Sequence, residues 1–139
     1  MAIIIGGFTQ YTGNEYTVYT HEALNEASKG LAGRVVKLST DGKYVEKITA
    51  NTDMPYGVVV GEVGGVTQNL SLSQTICVRG RNIYVELDPA VTSITAGTPA
   101  YINADGQFTD DDAGSFVGVF TSNVIINYNS KKVALAKVG

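Results

Sequence analysis

The chain of 139 residues has no tryptophan, three prolines, one cysteine and one histidine. A lone cysteine, Cys77, excludes an intrachain disulfide and removes any argument for oxidative folding. Cys77 and His21 are together too few for a Cys/His metal site. A Ser-His-Asp or Cys-His machinery would have to use His21, the sole histidine. Cys77 sits in an alternating run with no basic or histidine neighbour, as a small packed residue does. Charge is also scarce: 17% of residues are Asp, Glu, Lys or Arg, with a net charge of -3. The basic pairs Arg79-Gly80-Arg81 and Lys131-Lys132 are short, so no basic face for nucleic acid is expected. No run approaches the roughly 20 apolar residues of a membrane span. The opening Met1–Phe8 stretch is apolar but lacks the basic flank of a signal sequence. A soluble protein made in a reducing cytoplasm is the expectation.

Turn-formers and strand-formers are plentiful. There are sixteen glycines and eight tyrosines, with many Val, Ile and Thr residues. With 44% hydrophobic residues the chain reads as globular, at a length that fits one domain. Residues 1 to about 20 mix Ile3-Ile4-Ile5 with Gly6-Gly7 and read equally as an extended arm with one strand at most or as an ordinary first strand of the sheet. Thr20 to Gly30 is the one helical stretch. Thr20 can cap it, Ala23, Leu24 and Ala27 form a narrow apolar stripe, and Gly30 ends it. From Leu31 onward, Val-, Ile- and Tyr-rich runs alternate with turns at a spacing that predicts about nine strands in a sandwich or barrel. The Val58-Val59-Val60 run reads as a strand buried on both faces. Gly80, between the alternating runs Thr75–Arg79 and Ile83–Leu87, reads as a hairpin turn, with Tyr84 and Glu86 on the face opposite Ile83, Val85 and Leu87. Asn129-Ser130 joins the last two strands.

One device occurs twice. Ala32–Val45, "AGRVVKLSTDGKYV", and Ala96–Thr109, "AGTPAYINADGQFT", share Ala-Gly at the start and Asp-Gly at the same offset, 64 positions apart. Asp-Gly between two β-prone runs is a hairpin signal, because both residues tolerate positive φ. Each copy is followed by Gly-Val in a β run, Gly57-Val58 and Gly118-Val119.

Reactive constellations are few. Asp110-Asp111-Asp112, close behind Asp105, is the acidic cluster that could offer Ca²⁺ ligands. It lacks EF-hand spacing, so a solvated loop is the favoured reading and no metal or cofactor is expected. Gly61–Gly65 lacks the order of a phosphate-binding loop, and no helix follows it. Paired carboxylates for a hydrolase have no spacing in their favour. Tyr84 and Tyr101 could stack on sugars, which keeps a carbohydrate- or host-surface-binding β domain as the alternative reading.

The order of features resembles the small capsid cement, or head decoration, proteins of tailed bacteriophages. The resemblance runs through Gly33–Val63, Val78–Leu87, Ile94–Asp110 and Val117–Phe120. It is a pattern of strands and turns, and it brings no catalytic motif, so no enzyme is expected. It implies a compact, tulip-like β-barrel or sandwich over residues 31–139, preceded by an arm and short helix over 1–30. It implies a virion protein on the outer capsid surface, with a phage major capsid protein as partner, a homotrimeric state, and no nucleic-acid or membrane partner. An arm ordered on a partner would use Ile3, Ile4, Ile5, Phe8 and Tyr11, whose apolar and tyrosine side chains suit an interface.

Overall fold

The computed structural model describes residues 15–20, 31–42, 44–59, 73–77 and 80–139. The described residues are all-β, with eleven strands and no helix. Five strands close into a barrel: β1 (Glu15–Thr20), β2 (Val35–Leu38), β3 (Tyr44–Lys47), β4 (Gly57–Val59) and β5 (Ser73–Cys77). Their order is β1-β3-β2-β4-β5, and β5 returns to pair with β1. Only the β1–β3 pairing is parallel.

The second sheet has six strands: β6 (Gly80–Glu86), β7 (Pro99–Ile102), β8 (Phe108–Thr109), β9 (Phe116–Phe120), β10 (Ile126–Tyr128) and β11 (Lys131–Val138). The long β11 holds β6 along one edge, and β10 then β9 along the other. β7 pairs with β9 and β8 with β7. The sheet curls back on itself. Just past β6, Leu87 bridges Phe108 of β8, and the Asp88 N–H donates to the Phe108 carbonyl at 2.8 Å.

Residues 15–20 form a strand, β1 of the barrel, as the second reading of the first twenty residues has it. The expected helix lies outside the described residues except for Thr20, which ends β1 opposite Val45. The hairpin expected at Gly80 is replaced by a change of sheet: β5 pairs with β1 and β4, whereas β6 pairs with β11. Alternation marks a strand as half-buried, but it does not name the strand's partner. The Asn129-Ser130 turn is where it was expected. Both residues have positive φ, 49° and 62°, as a two-residue type I′ hairpin requires.

Two hydrophobic cores explain the Val-rich runs. Val36, Val45 and Val59 pack with Leu31 in a small cluster, against which Tyr56 leans. Val35, Ile48 and Val58 join a larger cluster with Ile83, Val85, Phe108, Phe120 and the buried side chains of β11. Neighbours on β2 and β4 therefore point into different cores. A strand wedged between two apolar layers has no solvent face, so its sequence loses alternation and becomes continuous Val.

The two Asp-Gly copies make matching main-chain bonds. The Gly33 N–H donates to the Val59 carbonyl at 3.0 Å, as the Gly97 N–H does to Phe120 at 2.7 Å. Val59 N–H donates back to Arg34, and Phe120 N–H to Thr98, each at 3.0 Å. At the tips, Gly42 N–H donates to Ser39 and Gly106 N–H to Asn103, at 2.9 and 3.1 Å. The φ angles agree as well: 90° and 89° at Gly33 and Gly97, 74° and 77° at Gly42 and Gly106. The third strands also correspond, since Val36 faces Gly57 as Ala100 faces Gly118. Each copy is thus a three-stranded unit, one in the barrel and one in the curled sheet. The second hairpin is a residue tighter: Leu38 faces Val45, whereas Ile102 faces Phe108.

A buried ion pair joins the units. Glu86, placed by its sequence alternation on the face opposite Ile83, Val85 and Leu87, is fully buried. Its Oε2 accepts from Arg34 Nη2 at 3.0 Å, Arg34 Nε at 3.2 Å and Gln107 Nε2 at 2.6 Å, while Lys131 Nζ lies 4.0 Å away. Arg34 belongs to the first unit and Gln107 to the hairpin of the second. Glu86 Oε1 is buried with no hydrogen-bond partner, so one oxygen gathers every donor. Such a pair adds little net stability against an apolar replacement, but it is costly to break one-sidedly.

Candidate functional site

Both units reach their third strand through a short turn built on an aspartate. In the first, Asp53 Oδ2 accepts from the backbone N–H groups of Thr49 and Ala50 at 2.9 and 3.0 Å and from Lys37 Nζ at 3.1 Å. The two backbone donors, then Lys37, hold the Asp53 carboxyl at about 2, below its ordinary value of 3.8. In the second, the Ala113 N–H donates to Asp111 Oδ1 at 3.0 Å and the Asp111 N–H to Thr109 Oγ1 at 3.2 Å. Gly114 lies so close to the Ile102 carbonyl that no side chain fits there. The Ser115 N–H then donates to the Asn51 carbonyl at 2.8 Å, tying one turn to the other.

These fixed turns present apolar side chains to solvent. Among the described residues the exposed large hydrophobics are Met54, 80% exposed, Phe116, 54% exposed, Leu38 and Val124. A shallow groove at this end is lined by Pro55 and Tyr56 of the first unit, Phe116 and Val117 of the second, and Val138 of β11. Phe116 stands directly across from Tyr101 in the β7–β9 register, and the rings meet edge to face with centroids 6.2 Å apart. Tyr101 in turn lines a neighbouring cleft with Ile94, Thr95, Pro99, Asp110 and Asp112. Exposed Met54 and Phe116 thus join half-buried Pro55 and Tyr101 in one seam with an acidic rim.

The anticipated site residues fall in several places. Ile3, Ile4, Ile5, Phe8, Tyr11 and His21 lie outside the described residues. Cys77 is in β5, in register with Glu15 and Val58. Tyr84 leans on the large core and Tyr101 lines the cleft. The three consecutive aspartates diverge. Asp110 and Asp112 line the Tyr101 cleft, whereas Asp111 faces a separate cleft with Asp88, Asn103 and Asn51. Asp88 there already accepts from Asn103 Nδ2 at 3.0 Å and from the Ala90 N–H at 2.8 Å. Among the described residues no group of three or more His, Cys, Asp or Glu side chains is placed to hold a metal. Sequence reasoning missed the seam, whose signal was present: Met54-Pro55 and Ser115-Phe116 lie just ahead of the two Gly-Val strands.

Comparison with known proteins finds no matching family model and no matching curated protein.

Proposed function

We propose that the protein is a decoration, or cement, protein of a tailed-bacteriophage capsid, which binds the outer surface of the assembled head and stabilises it by bridging shell subunits. The observation that carries this reading is the doubled three-stranded unit in the order of strands and turns that resembles this family. Its Asp and Gly residues are used for turns, and what the turns present outward is an apolar seam suited to contact. Binding to the folded shell alone stabilises the shell by mass action, and many copies on one head reinforce each other. In this reading the protein acts as a homotrimer, and residues 1 to about 12 form an arm that lies on the shell or a neighbour. The fold would then be of the tulip-like type, its barrel and curled sheet standing on the capsid.

Co-sedimentation with purified heads of the phage that encodes the chain tests this reading. The expected result is saturable binding, raised thermal stability of the heads, and self-association in sedimentation velocity. A strict monomer that leaves the heads bare would overturn it. Removing residues 1–12 is expected to weaken head binding and leave the β fold intact. A carbohydrate-binding role is the second reading, favoured by Tyr101 in its cleft, and a glycan array distinguishes it.

A further inference from the structure

We propose that the seam from Met54 and Pro55 through Phe116 to Tyr101 docks an extended protein segment carrying apolar side chains beside a lysine or arginine. This rests on the contact reading above and names the chemistry of the partner. The apolar part follows from exposure: Met54 and Phe116 are both more than half accessible, on turns held rigid by Asp53 and by the packed Gly114.

The basic part follows from charge. The cleft beside Tyr101, about 340 Å³, is lined by Asp110 and Asp112 and by no lysine or arginine. Among the described residues, neither carboxylate has an ion-pair partner, whereas Lys37, Arg34 and Lys131 all lie against Asp53 or Glu86. Lys132 is held elsewhere by the carbonyls of Pro89 and Val91, at 2.8 and 2.6 Å. The Tyr101 ring, braced by Phe116, adds an aromatic surface to which a cation is attracted within about 6 Å. The Thr98 hydroxyl is engaged with the Thr95 carbonyl at 2.6 Å, and the charged groups of the cleft are the Asp110 and Asp112 carboxylates. A cationic side chain brings donors and the opposite charge to them, which a neutral sugar does not.

The test is an NMR titration of the full chain with the peptide acetyl-Leu-Gly-Leu-Arg-amide and its citrulline analogue, which keeps the shape and loses the charge. The arginine peptide is expected to shift the amides of Tyr101, Asp110 to Asp112 and Phe116, with the citrulline peptide several-fold weaker and added salt closing the gap. Asp110→Asn with Asp112→Asn should make the two peptides equivalent, and Phe116→Ser should remove the response to both, with melting temperatures confirming that each variant folds. Equal response to both peptides by the parent chain, no response, or a larger cleft response to N-acetylglucosamine would overturn the proposal. The titration needs no capsid. Peptide binding by a chain that ignores phage heads would sink the decoration reading alone. Head binding by a chain that ignores the peptide would sink the seam alone.

Discussion

The two Asp-Gly hairpins share conformation and differ in surroundings. At the tip of the first, a Cβ added to Gly42 would meet nothing within 4 Å. At the tip of the second, a Cβ on Gly106 would come within 2.5 Å of the Val35 carbonyl oxygen. That tip is docked on the first unit, where the Val35 N–H donates to the Gly106 carbonyl at 2.8 Å. The same local chemistry therefore leaves open space beside Gly42 in one place and makes a joint at Gly106 in the other. Local sequence sets the turn, and the partner strand decides how much stability depends on it.

The comparison can be broken at several depths. The largest effect is expected at the joint itself. Glu86→Ala strands Arg34 in a site where it is mostly buried, and should cost about 3–5 kcal/mol in denaturant unfolding. Next is Gly106→Ala, which combines left-handed strain with a clash against main chain that cannot yield. A cost of about 2–5 kcal/mol is expected, against about 1–2 kcal/mol for Gly42→Ala, where only the backbone term remains. Equal costs at the two glycines would remove the distinction between an open and a docked glycine.

Acid should act on the first unit through Asp53. Its carboxyl titrates at about 2 in the fold against 3.8 ordinarily, so its contribution is complete above about pH 4 and is lost as the pH falls toward 2. Asp53→Asn should flatten that part of the stability-pH curve, measured by thermal melts between those values. The smallest effect is at the β10–β11 turn, where Ser130 holds a φ of 62°. Ser130→Gly should raise stability by about 0.5–1 kcal/mol.

Much of this fold was legible in the sequence because turns are local. Asp41-Gly42, Asp105-Gly106 and Asn129-Ser130 each signal a turn in two residues, φ is positive at Gly42, Gly106, Asn129 and Ser130, and all three are hairpins. The doubled Ala-Gly opening also marked the two units as related, and their main-chain bonds match. Pairing between distant segments was not legible. Nothing in Thr75–Arg79 or Ile83–Leu87 states that they enter different sheets, and nothing in Glu15–Thr20 states that it closes a barrel. Glu86 misleads for the same reason. Its alternation places it opposite Ile83, Val85 and Leu87, but the second unit folds over that face and brings Gln107 to it. The seam escaped because exposure of Met54 and Phe116 depends on how the two acidic turns are tied together. The divergence of Asp110, Asp111 and Asp112 likewise depends on the fixed path of their turn.

The account's central claim is the proposed one, that this β domain decorates a phage head through the seam at Met54 and Phe116. Co-sedimentation of the parent chain and Phe116→Ser with purified heads of the phage proposed to carry it tests it most directly. The account predicts saturable binding by the parent chain and its loss in the variant, with both proteins melting at nearly the same temperature because Phe116 is more than half exposed. Undiminished binding by the variant, or no binding by the parent chain, would contradict it.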